Sequence, residues 1–106
     1  MTDLDKLIDA VENGTATAPQ IHDALGRNAL HAISAYNGDM NAAKALHEAL
    51  LPEWEWEIRK INSPEKTSYV VLKGRRFRDL MTSENQTPAR AWLLAILKAY
   101  REETQK

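Results

Sequence analysis

Cysteine is absent from this 106-residue chain, which rules out disulfide scaffolds, thiolate metal sites and cysteine nucleophiles together. Glycine is scarce. The four glycines, at 14, 26, 38 and 74, are too dispersed to form a phosphate-cradling loop. Long apolar runs are missing as well. The longest, Ala91 to Leu97, falls far short of the roughly 20 residues that a membrane span needs. Asp3 and Asp5 stand where a secretory leader carries positive charge, so a cytoplasmic protein outside the membrane is expected. Net charge is close to zero too, at -1, and no internal repeat or low-complexity stretch occurs.

The charge that is present is unevenly placed. Residues 1–53 hold eight acids and three bases, whereas residues 54–106 hold seven acids and eleven bases. Four of those bases, Lys73, Arg75, Arg76 and Arg78, fall within six residues. Such asymmetry fits an anionic partner, head-to-tail self-association or simply a solvated face.

Periodicity supplies the architecture. Leu4, Leu7, Ile8 and Val11 recur at helical spacing, and Asn13-Gly14 ends that row. Thr17 and Gln20 form a capping-box pattern around Pro19, opening a second helix whose apolar face is Ile21, Ala24 and Leu25. Gly26 breaks it. A further helical segment from Asn28 carries Ala29, Leu30, Ala32, Ile33 and Tyr36 and closes at Asn37-Gly38.

The best-specified stretch follows. Asp39 caps a helix whose row is Met40, Ala43, Leu46, Ala49 and Leu50, and Pro52 stops it. Trp54, Trp56 and Ile58 then alternate with Glu55, Glu57 and Arg59, the period-two pattern of a half-buried strand. Ser68 to Lys73 forms a second strand, paired antiparallel with the first across the 62–66 loop. Arg75 to Met81 offers a short third strand, with Ser83 to Gln86 as loop. Thr87 and Pro88 open a last helix that is apolar around most of its circumference. The fold class expected is α+β: a small antiparallel sheet of two or three strands flanked by helices, ordered α-α-α-β-β-(β)-α, in a single domain spanning residues 1–106.

The run AYNGDMNAAKALHEALLPEWEWEI, followed by strands and then NQTPARAWLLAILKAY, resembles the phage α-β-α sandwich domain, a family of small proteins from bacteriophage and prophage genomes. The likeness is firmest over Tyr36 to Ile58 and Thr87 to Tyr100. It implies a phage-encoded cytoplasmic protein with helices on a sheet, and it brings no catalytic motif. Its two matching starts, Asp39-Met40-Asn41-Ala42-Ala43 and Thr87-Pro88-Ala89-Arg90-Ala91, read as helix caps.

Candidate chemistry is thin. His22, His31 and His47 lie on three helical segments, and His47-Glu48 lacks the second histidine four residues after the first that a zinc-hydrolase helix requires. No metal or cofactor is expected. Ser34, Ser63, Ser68 and Ser83 sit in no nucleophile elbow, and Glu55 and Glu57 are spaced as solvated strand neighbours. No catalytic residue is assigned, although Glu48, Glu57 or a histidine is the base that a residual enzyme would use. Binding is the expectation, with a host protein or a phosphate-bearing ligand as partner. Lys73, Arg75, Arg76, Phe77 and Arg78 are the candidate ligand residues, since guanidinium groups beside an aromatic ring neutralise phosphate and stack on a base. The plainer alternative is a charged edge strand. Trp56 and Trp92 are assigned to the core and Trp54 to a pocket rim or interface. The apolar last helix further suggests a homodimer with Leu93, Leu97 or Tyr100 near its interface.

Overall fold

The computed structural model describes residues 3–60, 68–73, 80–85 and 88–104, with side chains over 3–57 and 88–104. Helix α1 (Asp3–Asn13) is followed by α2 (Ala18–Leu25), a 3-10 turn over Gly26–Asn28, α3 (Ala29–Tyr36) and α4 (Met40–Leu50). Strands β1 (Glu55–Lys60), β2 (Ser68–Lys73) and β3 (Leu80–Asn85) come next, and α5 (Pro88–Thr104) is the last described element.

Local chemistry sets the helix boundaries. Gly14, at φ +74°, donates its N–H to Val11 O, and Thr15 N donates to Ala10 O, so the last carbonyls of α1 are satisfied by a left-handed turn. Thr17 and Gln20 reciprocate: Gln20 N donates to Thr17 Oγ1 at 3.4 Å and Thr17 N donates to Gln20 Oε1 at 3.0 Å. Gly38, at φ +106°, lets the chain reverse between α3 and α4. Asp39 Oδ1 then accepts from Asn41 N at 2.9 Å and Ala42 N at 3.1 Å, a cap worth ~1 kcal/mol.

The centre of the molecule is α5. It packs against α1, α3 and α4 on one side and against β2 and β3 on the other. Ala91, Leu93, Ala95, Ile96, Leu97 and Ala99 are wholly buried, which accounts for a helix that is apolar nearly all round. Around it, Leu7, Ile8 and Val11 of α1, Ile21 and Leu25 of α2, and Leu46 of α4 complete one continuous core. Helix α3 contributes Ala29, Ala32 and Ala35, each without exposed surface, so the side it buries is its alanine side. Leu30, one residue away from that row, is 70% exposed. Two ion pairs cross from α5 to α1: Arg101 Nη1 to Asp5 Oδ1 at 3.1 Å and Lys98 Nζ to Glu12 Oε1 at 3.8 Å. Arg90 Nε donates to Tyr36 O at 2.6 Å with its guanidinium 4.2 Å from the Tyr36 ring centroid, fastening the end of α3 to the start of α5.

The α-β-α sandwich expected from the sequence is overturned. Helix α5 carries the helix-to-sheet packing while α1, α3 and α4 lie against α5, so the layers run helices, α5, strands rather than helix, sheet, helix. Four helices precede β1, one more than the order α-α-α-β-β-(β)-α allowed, because the segment read from Asn28 forms a separate helix over Ala29–Tyr36. The chain is helix-dominated, and every side chain of its described core belongs to a helix or to the Leu51–Trp54 corner. The physical reason lies in α5: a helix apolar on all sides is most stable when it is itself the middle layer.

The three strands pair antiparallel in the order β1-β2-β3, with Trp56 opposite Leu72 and Leu72 opposite Met81. The expected bounds of the third strand also need correcting. Strand β3 covers Leu80–Asn85, including the Ser83 region read as loop, while residues 75–79 and Thr87 lie outside the described residues.

Candidate functional site

The corner between α4 and β1 builds the most chemically organised part of the described structure. Leu51 N donates to His47 O at 2.8 Å, closing α4, and Trp54 N donates to Leu51 O at 3.1 Å across Pro52 and Glu53. That four-residue turn exploits the fixed φ of proline at its second position. It swings the Trp54 carbonyl back over the end of α4, where His47 waits.

His47 is 2% exposed, and its ring is saturated from both sides. Nε2 lies 2.7 Å from Trp54 O, and Nδ1 accepts the Trp92 indole N–H at 3.3 Å. A carbonyl only accepts and an indole N–H only donates, so these partners assign the neutral tautomer with its proton on Nε2. Burial away from water lowers the His47 pKa below the usual histidine value, overcoming the hydrogen bond to the Trp54 carbonyl and the field of Glu48, which act the other way.

Three tryptophans converge here. Trp92, 2% exposed, stands between the His47 ring, with centroids 5.9 Å apart, and the Trp56 ring, with centroids 4.6 Å apart at 39°. Trp54 is 7% exposed, and its indole donates to Glu103 Oε1 at 3.1 Å, reaching the far end of α5. Trp56 is the outward member at 45% exposure. It stands on β1, an edge strand, whereas α5 packs along β2 and β3. Its ring is covered in part by Trp92 and is 45% exposed overall.

The tryptophan assignments made from sequence are thus exchanged. Trp54 is core and not a rim; Trp56 is the exposed ring. The reason is geometrical: β1 begins at Glu55, so Trp54 belongs to the turn and lies off the period-two grid that relates Trp56 to Ile58. The inward role of His47 was also missed. The signal was available, since His47 follows Leu46 in the same inward stretch of α4 while Ala49, read as inward, is exposed.

The remaining candidates are not brought together. Lys73 ends β2, its Cα opposite Glu55 and Leu80, while Arg75, Arg76, Phe77 and Arg78 lie outside the described residues. Leu93 and Leu97 have no exposed surface in the single chain, and Tyr100 is half-buried against the core. The helices and strands of the same chain already cover α5, so the uncovered apolar face from which the dimer was inferred does not exist at those two leucines. His22 and His31 are exposed on α2 and α3, apart in character from His47, and Glu48 and Glu55 are exposed. Among the described residues no group of three or more histidines, aspartates or glutamates is placed to hold a metal ion. No described helix is long and apolar enough to cross a membrane.

Compared with family models, with curated proteins and with solved structures, the chain finds no match.

Proposed function

We propose that this chain is a small accessory protein of phage or prophage type that acts in the bacterial cytoplasm by binding a host protein, not by catalysis. The observation that carries the reading is Trp56, 45% exposed and stacked on a buried Trp92. A tryptophan held on a fixed base offers a large contact area at little entropic cost, the property that makes aromatic residues the anchors of protein interfaces. The same geometry leaves His47 no free nitrogen to offer a substrate, because both are already engaged by Trp54 and Trp92. The origin assigned here rests on the resemblance of the helix-turn-strand run to small phage proteins.

The test is retention of a partner from bacterial host lysate on the immobilised protein and on Trp56→Ala. One retained protein that the Trp56→Ala variant releases supports the reading. Equal retention by both forms, or turnover of a nucleotide or peptide panel by the purified protein, contradicts it.

A phosphate-bearing partner is the second reading. Lys73 and Leu80 are Cα partners on neighbouring strands, and the sequence between them holds three arginines and Phe77. Salt separates the two readings, since phosphate binding weakens steeply as ionic strength rises.

A further inference from the structure

We propose that His47 is an acid-sensitive latch on the tryptophan cluster: a proton taken up from solvent at Nδ1 turns that nitrogen from acceptor to donor, releases the Trp92 indole and frees the Trp56 ring stacked on it.

The chemistry follows from the two hydrogen bonds. Neutral His47 satisfies both partners at once, giving its Nε2 proton to the Trp54 carbonyl and accepting the Trp92 N–H at Nδ1. The protonated ring keeps the first bond and loses the second, because imidazolium carries a proton on each nitrogen. Two N–H groups then face each other at a contact that is 3.3 Å long in the neutral form, in a site almost closed to water. Trp92 cannot hold its place unchanged. It is also the base on which Trp56 rests at 4.6 Å, so the disturbance reaches the exposed ring in one step. Trp54 is tied to the opposite nitrogen and onward to Glu103, which leaves the corner anchored while the Trp92 side lets go.

Of the acids on the packed elements, Glu48 is the one whose field bears on the ring. Glu48 stands on the same helix, Glu53 in the corner, Glu55 and Glu57 on β1, and Glu103 on α5. Glu48 favours the proton, yet desolvation outweighs it and the ring titrates below the ordinary value. The unfolded chain takes the proton first, near the reference pKa of ~6.5. Folding stability therefore holds above that pH, declines as pH falls toward the lowered folded-state value, and levels off below it. Function couples to this only through the reading that Trp56 meets the partner, and the test requires no partner.

All three tryptophans of the chain lie in this cluster, so intrinsic fluorescence reports it without a label. The protein is titrated from pH 8 to pH 4 with far-UV circular dichroism recorded in parallel. The expected result is a reversible fluorescence transition below the ordinary histidine range while helical dichroism is retained. It should be absent in His47→Gln, whose amide accepts from Trp92 and donates to Trp54 without titrating, and retained in Glu103→Gln. If His47→Gln fails to fold, the wild-type protein is followed by NMR instead, where the Trp92 indole N–H should shift in step with the His47 imidazole. A fluorescence transition identical in folded His47→Gln, a loss of dichroism in step with the fluorescence, or a Trp92 N–H that ignores His47 would overturn the latch. A partner retained equally by Trp56→Ala, with the pH transition present in the unmodified protein, would instead count against Trp56 as the contact ring and leave the latch standing.

Discussion

Replacing Trp92 with alanine is expected to lower the unfolding free energy by about 3–5 kcal/mol, the range for removing a large aromatic side chain from a core. Three losses coincide at this position. The indole is 2% exposed, so nearly its whole apolar area returns to water and a cavity opens beside α5. Its N–H no longer satisfies His47 Nδ1, leaving a buried acceptor without a donor. Trp56 also loses the ring on which it rests. Domains of this size have only about 5–15 kcal/mol in hand, so the variant should be close to the edge of folding at room temperature. Urea denaturation followed by circular dichroism measures it. A loss below about 1 kcal/mol would mean that the site collapses without a cavity, contrary to its packing.

Leu93→Glu is expected to unfold the chain. Leu93 has no exposed surface and lies on the helix that every other layer packs against, so a carboxylate placed there has neither water nor a partner. An isolated charge in such a setting costs several kcal/mol even after the group neutralises itself by taking up a proton, a sum comparable with the entire stability. Had α5 presented Leu93 to a second copy of the chain, the same substitution would give a soluble, folded monomer. The two outcomes separate by circular dichroism and light scattering on one sample. Lost helix content supports the account; a well-folded monomer contradicts it.

These two positions also mark what was legible in the residues. The apolar circumference of α5 stood out, and so did the caps at Thr17 and Asp39, because each depends on neighbours within a few places along the chain. What covers α5 is a tertiary matter. A helix apolar on all sides is satisfied equally by a partner subunit or by the rest of its own chain, and periodicity does not distinguish them. Helix α3 shows another limit. The residues read for it, Ala29, Leu30, Ala32, Ile33 and Tyr36, did not single out one side, whereas Ala29, Ala32 and Ala35 are the ones that face inward, since small residues let short helices approach closely. The tryptophan site was hidden for a different reason. Trp54 and Trp56 have the same parity in sequence, and only the turn across Pro52 takes Trp54 off the strand pattern and carries its carbonyl to His47.

The account turns on Trp56 being the one ring of the three that meets solvent, on a base that stays in place without it. Acrylamide quenching of tryptophan fluorescence in the unmodified protein and in Trp56→Phe tests this most directly. The expected result is a readily quenched fraction in the unmodified protein that largely disappears in Trp56→Phe, with Trp54 and Trp92 remaining shielded and the helix content unchanged. Fluorescence in Trp56→Phe quenched as readily as in the unmodified protein would show that Trp54 or Trp92 faces the solvent instead, and would contradict the proposed binding surface.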